Sequence, residues 1–213
     1  MRPLFWYLIL LTVATLALLL PHLLPRSGPG LPALDAALIQ VPVSPQRARV
    51  LGYERSEFGP GWAHSGACSI REEMIVTHLQ HAQLEDCRAV GGMLHDPYTG
   101  HQVILPAPVE IDHIFPLAAA WDLGAHTWSD SQRVAFANDP ANLVVTAQAA
   151  NREKSDLLPA EWLPPDRSAR CWYSHRLAVV AGSYGLALPD EDISAMRGSC
   201  RGLLEWTSLD TTG

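Results

Sequence analysis

An unbroken apolar run near the N-terminus is the first feature of the hydrophobic pattern. It extends from Leu4 to Leu20 and follows a short start that carries Arg2. Signal peptides have roughly 7 to 15 apolar residues and membrane-spanning helices have roughly 20, so this run lies between the two classes. We therefore predict that residues 1–24 are a signal peptide or an uncleaved membrane anchor. Either alternative makes the rest of the chain secreted or anchored on the extracytoplasmic face of the cell membrane.

Prolines are frequent immediately after this run, and the apolar pattern stops there. Between residues 25 and 48 they occupy positions 25, 29, 32, 42 and 45. Such a composition is typical of an extended tether that contributes little to a core. The folded domain is expected at residues 49–206, followed by a short tail at 207–213.

Within that domain, apolar residues recur with helical spacing in some segments and with strand spacing in others. Helices are predicted at 70–86, 116–125, 129–139, 148–157 and 167–182, and a last helix begins at Pro189. The turn-rich stretch HDPYTG between two apolar stretches predicts a β-hairpin, and further strands are expected at 109–113 and 142–147. The pattern indicates an α+β domain that is mostly helical with a small β component.

Length and composition allow one substantial hydrophobic core. The chain has 213 residues, of which 48% are hydrophobic. Its formal net charge of −7 argues against a surface coated with positive charge. Any contact with nucleic acid would therefore require a local cluster of basic residues.

The chain has four cysteines, which are Cys68, Cys87, Cys171 and Cys200. They fit an exported protein because an oxidising compartment allows thiols to pair, and three pairings are open. We favour Cys68 with Cys87 and Cys171 with Cys200, since each bond would join the two ends of one predicted helical region. A zinc site that includes His78 and His81 is the alternative, but its spacing is not typical of zinc-binding motifs.

The end of the strand at 109–113 carries the most informative polar residues. Asp112 and His113 are adjacent there, and Asn151 lies on the helix predicted after the next strand. A strand–strand–helix unit can bring the end of its first strand beside its helix. A carboxylate and an amide oxygen suit a hard cation such as Mg²⁺, and an imidazole that is neutral near pH 7 can act as general base. Neighbouring strand residues point to opposite sides, so His113 can avoid the ion and face an attacking water.

Each of these residues also has a simpler interpretation. The Asp112–His113 pair could be a turn with solvated side chains. Asn142 could be a loop residue, and Asn151 could be the N-cap of its helix. Lys154 follows Asn151 by one turn and could reach a phosphate from the same helix face. The combination favours hydrolysis of a phosphodiester, because that reaction requires both a base and stabilisation of phosphate charge.

Three segments, IDHIFPL, NDPANLVV and NREKSD, resemble the three parts of an HNH-type (ββα-metal) endonuclease. Over residues 50–200 the chain is similar to exported actinobacterial HNH endonuclease family proteins, which are related to the C-terminal domain of GmrSD restriction endonucleases. The resemblance implies a ββα-metal core embedded in the mostly helical domain. It also implies cleavage of DNA, with RNA as an alternative substrate, at low sequence specificity and with Mg²⁺ or Mn²⁺ as cofactor.

The same resemblance assigns roles by position. It implies that His113 is the general base and that Asp112 and Asn151 hold the metal ion. Asn142 matches an asparagine that ties the loop together and helps to orient the base. Lys154 matches a lysine that is often found three residues after the last metal ligand.

Basic residues in and after the third segment are candidates for contacts with nucleic-acid phosphates. They are Arg152, Lys154, Arg170 and Arg176. If they converge on one face, binding should weaken steeply with salt.

The rival class of function is a non-catalytic, envelope-anchored binding protein on the same scaffold. The N-terminal segment, the tether and the acidic charge would suit it. No protein partner is predicted, and the membrane is a partner only if the N-terminal segment is retained.

Overall fold

The computed structural model describes residues 2–23 and 33–200. The predictions for the start of the tether and for the tail at 207–213 lie outside these ranges. Helix α1 (Arg2–Leu23) contains the apolar run, and its side chains from residue 5 to 18 are exposed. None of the helices in the described ranges combines the length with the apolar character that a bilayer crossing needs. The transmembrane alternative for the N-terminal segment is not supported.

The described chain is a mixed α+β structure, which confirms the predicted class. The remaining helices are α2 (Leu34–Leu38), α3 (Ile70–His78), α4 (Leu117–Asp122), α5 (Asp130–Ala137), α6 (Gln148–Lys154), α7 (Arg170–Tyr184) and α8 (Asp190–Cys200). The strands are β1 (Val43–Ser44), β2 (His64–Ser65), β3 (Cys68–Ser69), β4 (Gln80–Glu85), β5 (Arg88–His95), β6 (Gln102–Ile104), β7 (Val109–His113), β8 (Leu143–Ala147) and β9 (Leu188–Pro189). Short 3₁₀ helices occur at Arg55–Phe58, Ala125–Thr127, Pro140–Asn142 and Arg167–Ala169.

The antiparallel pair β7–β8 and the helix α6 that follows it form the unit that positions the candidate site. Asp112 lies opposite Val144, and His113 lies opposite Leu143. Ile111 and Leu143 belong to a small apolar cluster that α3 and the β4–β5–β6 sheet complete. Because successive strand side chains point to opposite faces, Asp112 lies on the other face, where α6 packs.

A larger hydrophobic core lies on the α6 side of this unit and is built mainly from helices. The large side chains buried there include Tyr98, Phe115, Phe136 and Tyr173. The rings of Tyr98 and Tyr173 meet edge to face with their centroids 5.8 Å apart, a preferred aromatic geometry. Helix α7, the longest helix in this core, ends at Tyr184 and is capped by Gly185, whose φ of 65° is left-handed and favours glycine.

Residues 34–44 differ from the tether predicted for them. Leu34, Leu38 and Val41 are buried in the large core, where α2 packs on α7. Strand β1 pairs in parallel with β9, so this segment also joins the last helix to the domain. The spacing of these three apolar residues at i, i+4 and i+7 is helical, but the surrounding prolines hid that signal. The packed structure therefore includes part of the proline-rich segment.

The helix predicted at 70–86 is only half correct. Helix α3 ends at His78, because Leu79 adopts an extended backbone, and residues 80–85 form β4. His81 and Asp86 have positive φ values of 54° and 52°, which a helix does not allow. Strand β4 pairs with β5, which comes later in the chain. A helical count within one window cannot detect that partner. The other predicted helices and strands are present with boundaries shifted by a few residues.

The disulfides are Cys68–Cys87 and Cys171–Cys200, the pairing favoured from the sequence. Cys68–Cys87 joins β3 to the residue before β5, and Cys171–Cys200 joins the first turn of α7 to the end of α8. Each bond thus connects different elements rather than the two ends of one helix. The zinc alternative with His78 would have used two sulfurs that are bonded to each other.

Candidate functional site

The described surface contains a cleft of about 720 Å³ beside the end of β7. Its walls come from β7, from the start of α4, from α6 and from the segments that contain Arg49, Arg55 and Arg71. Asp112, His113 and Asn151 all line this cleft. The structure therefore brings together the three residues that were assigned to the base and the metal ion. Asn142 and Lys154 lie behind the cleft, in the interior.

His113 is held in one orientation by two neighbours. Its Nε2 lies 2.8 Å from the carbonyl oxygen of Ala137, and its ring stacks on Trp62 with centroids 5.6 Å apart and planes 3° from parallel. A carbonyl oxygen can only accept, so Nε2 carries the proton and Nδ1 is left as an acceptor. Within the described residues, Nδ1 makes no hydrogen bond. This is the tautomer that a general base requires.

Burial keeps the His113 imidazole neutral. It lowers the pKa of His113 to about 4, the hydrogen bond to Ala137 opposes this shift, and the charges of Arg55 and Lys154 add to it. The imidazole is therefore almost entirely unprotonated at neutral pH.

Asp112 is buried, and both of its carboxylate oxygens are hydrogen-bonded. Lys154 Nζ lies 2.9 Å from Oδ1, and the Tyr98 hydroxyl donates to Oδ2 at 2.6 Å. Burial raises the pKa of the Asp112 carboxyl, while the charge of Lys154 opposes that shift. Burial likewise lowers the pKa of Lys154, and Asp112 opposes that change. The two groups form an ion pair inside the protein, with only one edge of Asp112 toward the cleft.

Lys154 differs from its expected role as a phosphate contact. It is completely buried, and Nζ also donates to the backbone oxygen of His113 at 2.8 Å. Helix α6 is short and packs directly on β7, so its residue 154 faces the strand rather than the cleft. Lys154 therefore ties α6 to the strand end that carries Asp112 and His113.

Glu110 is a cleft residue that the sequence analysis missed. Its Oε1 accepts from Gln148 Nε2 at 2.7 Å and its Oε2 from Asn151 Nδ2 at 2.8 Å. The NH₂ group of Asn151 is directed at Glu110. Its Oδ1 makes no hydrogen bond within the described residues. The period of two along β7 places Glu110 on the same face as Asp112, and that signal was available in the sequence.

Asn142 lies under the loop that follows His113. Its Oδ1 accepts from Phe115 N at 2.8 Å, and its Nδ2 donates to Phe115 O at 3.3 Å. Its backbone oxygen accepts from Ile114 N at 2.8 Å. Asn142 is completely buried, so water does not compete for these hydrogen bonds, which fix the two residues after His113.

We expect Asn142→Ala to lower the free energy of unfolding by about 1–3 kcal/mol, because it leaves the buried N–H of Phe115 without a partner. Urea unfolding at neutral pH measures this loss. Asn138→Ala is a useful comparison, because Asn138 accepts from Ala63 N at 2.8 Å at a less buried site. A change below about 0.5 kcal/mol in Asn142→Ala would contradict a loop-fixing role.

The predicted basic contacts do not line the cleft. Arg152 is exposed on α6, and Arg170 Nε donates to Pro164 O at 2.8 Å. The Arg176 guanidinium donates to backbone oxygens, among them that of Ala141 at 2.8 Å. The arginines that do line the cleft are Arg49, Arg55 and Arg71. They were missed because they lie about 40 or more residues before His113 in sequence and reach the site only through the fold.

Comparison with known proteins decides the family. Residues 70–186, which are 117 of the 213, match the family of GmrSD restriction endonucleases, C-terminal domain. The chain belongs to this family. It is also 34% identical over 192 residues to an uncharacterized secreted protein of Arthroderma benhamiae, covering 88% of this chain and 93% of that protein. No solved structure matches.

Membership of the GmrSD C-terminal domain family confirms the coarser part of the resemblance and supports a nuclease-related role. The relative comes from Arthroderma benhamiae, so the match gives no support to the actinobacterial assignment. That relative is called secreted, and the two disulfides are consistent with an extracellular location. The family match includes Arg71, Glu110 and Asp112 to Lys154, whereas Arg49, Arg55 and Trp62 lie before it.

The cleft contains oxygen atoms of the types that bind a divalent ion. Glu110, Asp112 and Asn151 together supply two carboxylates and an amide, the ligand types that Mg²⁺ and Mn²⁺ prefer. Elsewhere in the described chain, the sulfurs of Cys171 and Cys200 and the imidazole of His175 lie close together. Those sulfurs are joined in a disulfide, so they are not thiolate ligands.

Proposed function

We propose that this protein is an extracellular, metal-dependent HNH endonuclease that hydrolyses phosphodiester bonds of DNA with low sequence specificity. The observation that carries the proposal is that one cleft contains a neutral, fixed imidazole and three side chains whose oxygen atoms could bind a metal ion. His113 supplies the imidazole, and Glu110, Asp112 and Asn151 supply the oxygens. Family membership supports the reaction class.

In this proposal His113 is the general base. Its Nδ1 takes a proton from the water that attacks the phosphorus atom. Its Nε2 keeps its own proton and donates it in the hydrogen bond to the Ala137 carbonyl oxygen. Stacking on Trp62 stops the ring from turning, so Nδ1 stays directed at one position. Asn142 is a positioning residue, because it fixes the loop that follows the base.

Asp112 and Asn151, with Glu110 beside them, would hold the divalent ion. When bound, that ion would stabilise the negative charge that develops on the phosphate and on the leaving oxygen. Lys154 and Tyr98 orient the Asp112 carboxylate through its two hydrogen bonds. Lys154 acts through Asp112 and does not contact substrate.

A plasmid-nicking assay with the full chain tests the proposal. Supercoiled DNA should be nicked in Mg²⁺ or Mn²⁺ and left intact in EDTA, and adding the ion back should restore nicking. A parallel assay on single-stranded RNA decides between the two nucleic acids. Absence of cleavage of both substrates with both ions would contradict the proposal.

The rival is a non-catalytic extracellular binding protein on the same scaffold. The hydrogen bonds to Asp112 favour it, since each carboxylate oxygen already has a donor. Calorimetric titration of the purified protein with Mn²⁺ separates the two functions. Binding of about one ion per chain, lost in Asn151→Ala, supports the nuclease, and absence of binding supports the rival.

A further inference from the structure

Two arginines of the cleft each also line a neighbouring depression. Arg55 lines both the cleft and a small pocket of about 80 Å³ that also contains Trp62 and His113. Arg71 lines both the cleft and a depression of about 390 Å³ that also contains Arg88. The cleft therefore adjoins both depressions, with His113 at the junction with the first and Arg71 at the junction with the second.

These two arginines are the cationic groups of the described cleft that lack ion-pair partners in the described part of the chain. Asp112 is paired with Lys154. Asp156 is paired with Arg47 at 2.8 Å and with Arg49 at 3.2 Å. Among the described cleft residues, the unpaired charges are thus those of Arg55, Arg71 and Glu110.

A chain with a net charge of −7 must approach a polyanion through a local positive region. The arginines after the third motif segment do not form one at the cleft, because Arg170 and Arg176 donate to backbone oxygens. Arg55 is exposed and Arg71 is half-buried, so both can present their guanidinium groups to a ligand. Guanidinium groups match phosphate geometry with two parallel hydrogen bonds.

We propose that Arg55 and Arg71 bind the phosphates on either side of the scissile phosphate. The cleaved DNA strand then runs from the pocket of Arg55 and Trp62, past His113, to the depression of Arg71 and Arg88. This assignment rests on the proposed nuclease function and defines the path of its substrate. It would also account for the low sequence specificity in the proposed function, since both contacts are to the backbone.

The first test measures binding without cleavage. Fluorescence anisotropy of a labelled twelve-nucleotide single strand is recorded in EDTA at several salt concentrations for the wild type, Arg55→Gln and Arg71→Gln. Each variant should bind on the order of tenfold more weakly. Each should also make the slope of log K against log salt shallower by about 0.7, the value for one phosphate contact on a single strand. Arg167→Gln is the matched control, because Arg167 is exposed and lines none of the three hollows.

The second test measures how cleavage depends on substrate length. In the wild type, kcat/KM should rise from a dinucleotide, which has only the scissile phosphate, to a tetranucleotide, which has one on each side. Arg55→Gln and Arg71→Gln should each lose on the order of tenfold of this gain, and Arg167→Gln should keep it.

An unchanged salt slope in both arginine variants, or an equal change in Arg167→Gln, would overturn the assignment. So would a length gain that both variants retain. If the wild type binds DNA through these arginines but cuts no substrate, the nuclease proposal fails and the strand path stands.

Discussion

Replacing Lys154 with methionine should lower the free energy of unfolding by about 3–5 kcal/mol, the largest loss expected from a single residue of this site. Methionine keeps most of the length of the side chain, so packing changes little. The loss arises because Asp112 keeps a buried carboxylate without its cationic partner, and the Tyr98 hydroxyl is its remaining side-chain donor. Urea unfolding at neutral pH, monitored by tryptophan fluorescence, measures it.

Two further variants separate charge from packing. Combining Lys154→Met with Asp112→Asn should recover most of the lost stability, since no buried charge remains. Arg152→Met removes a cation from the same helix at an exposed position and should change stability by less than about 0.5 kcal/mol. If Lys154→Met were equally harmless but reduced DNA binding, Lys154 would be the phosphate contact that its sequence position suggested.

The strand–strand–helix unit was predictable because its signals are local. The period of two at 109–113 and the apolar stretch at 143–147 identify β7 and β8. The helix-forming residues from Gln148 onward identify α6. Strand β8 pairs with β7, and α6 follows β8 directly, so Asn151 lies beside the strand that carries Asp112 and His113. Motif order was therefore enough to assemble one side of the cleft.

The direction of each side chain and the opposite wall of the cleft were not predictable in the same way. Lys154 follows Asn151 by three residues, but a helix packed on a strand turns one of them inward and the other to the rim. Arg55 and Arg71 belong to a 3₁₀ helix and to the first turn of α3. Their positions depend on tertiary packing that no window around His113 contains.

His113→Ala should reduce kcat for DNA cleavage by about 10²- to 10⁴-fold, the usual contribution of a positioned general base. His101→Ala is the control, because His101 is exposed and lies outside the cleft. The His113 variant also loses the hydrogen bond to Ala137, so its fold is checked by urea unfolding. Added imidazole should restore part of its activity by occupying the space beside Trp62. A stable variant that retains wild-type kcat would show that His113 is not the base.

The pH profile of the wild type tests the same assignment without a mutation. A base acts in its neutral form, so activity falls as pH drops through its pKa. For His113 this fall should be centred near pH 4, because burial lowers its pKa from 6.5 to about 4. At pH 5.5 a histidine with a pKa of 6.5 would be only about 10% neutral, whereas His113 should be more than about 90% neutral.

The depressed pKa also means that stability falls as pH drops from 6.5 toward 4, since the unfolded chain then binds the proton that the folded chain excludes. Activity per folded molecule must therefore be measured with the folded fraction known at each pH. An acidic limb near 6.5 under those conditions would show that the acting imidazole is hydrated rather than held between Trp62 and the Ala137 carbonyl.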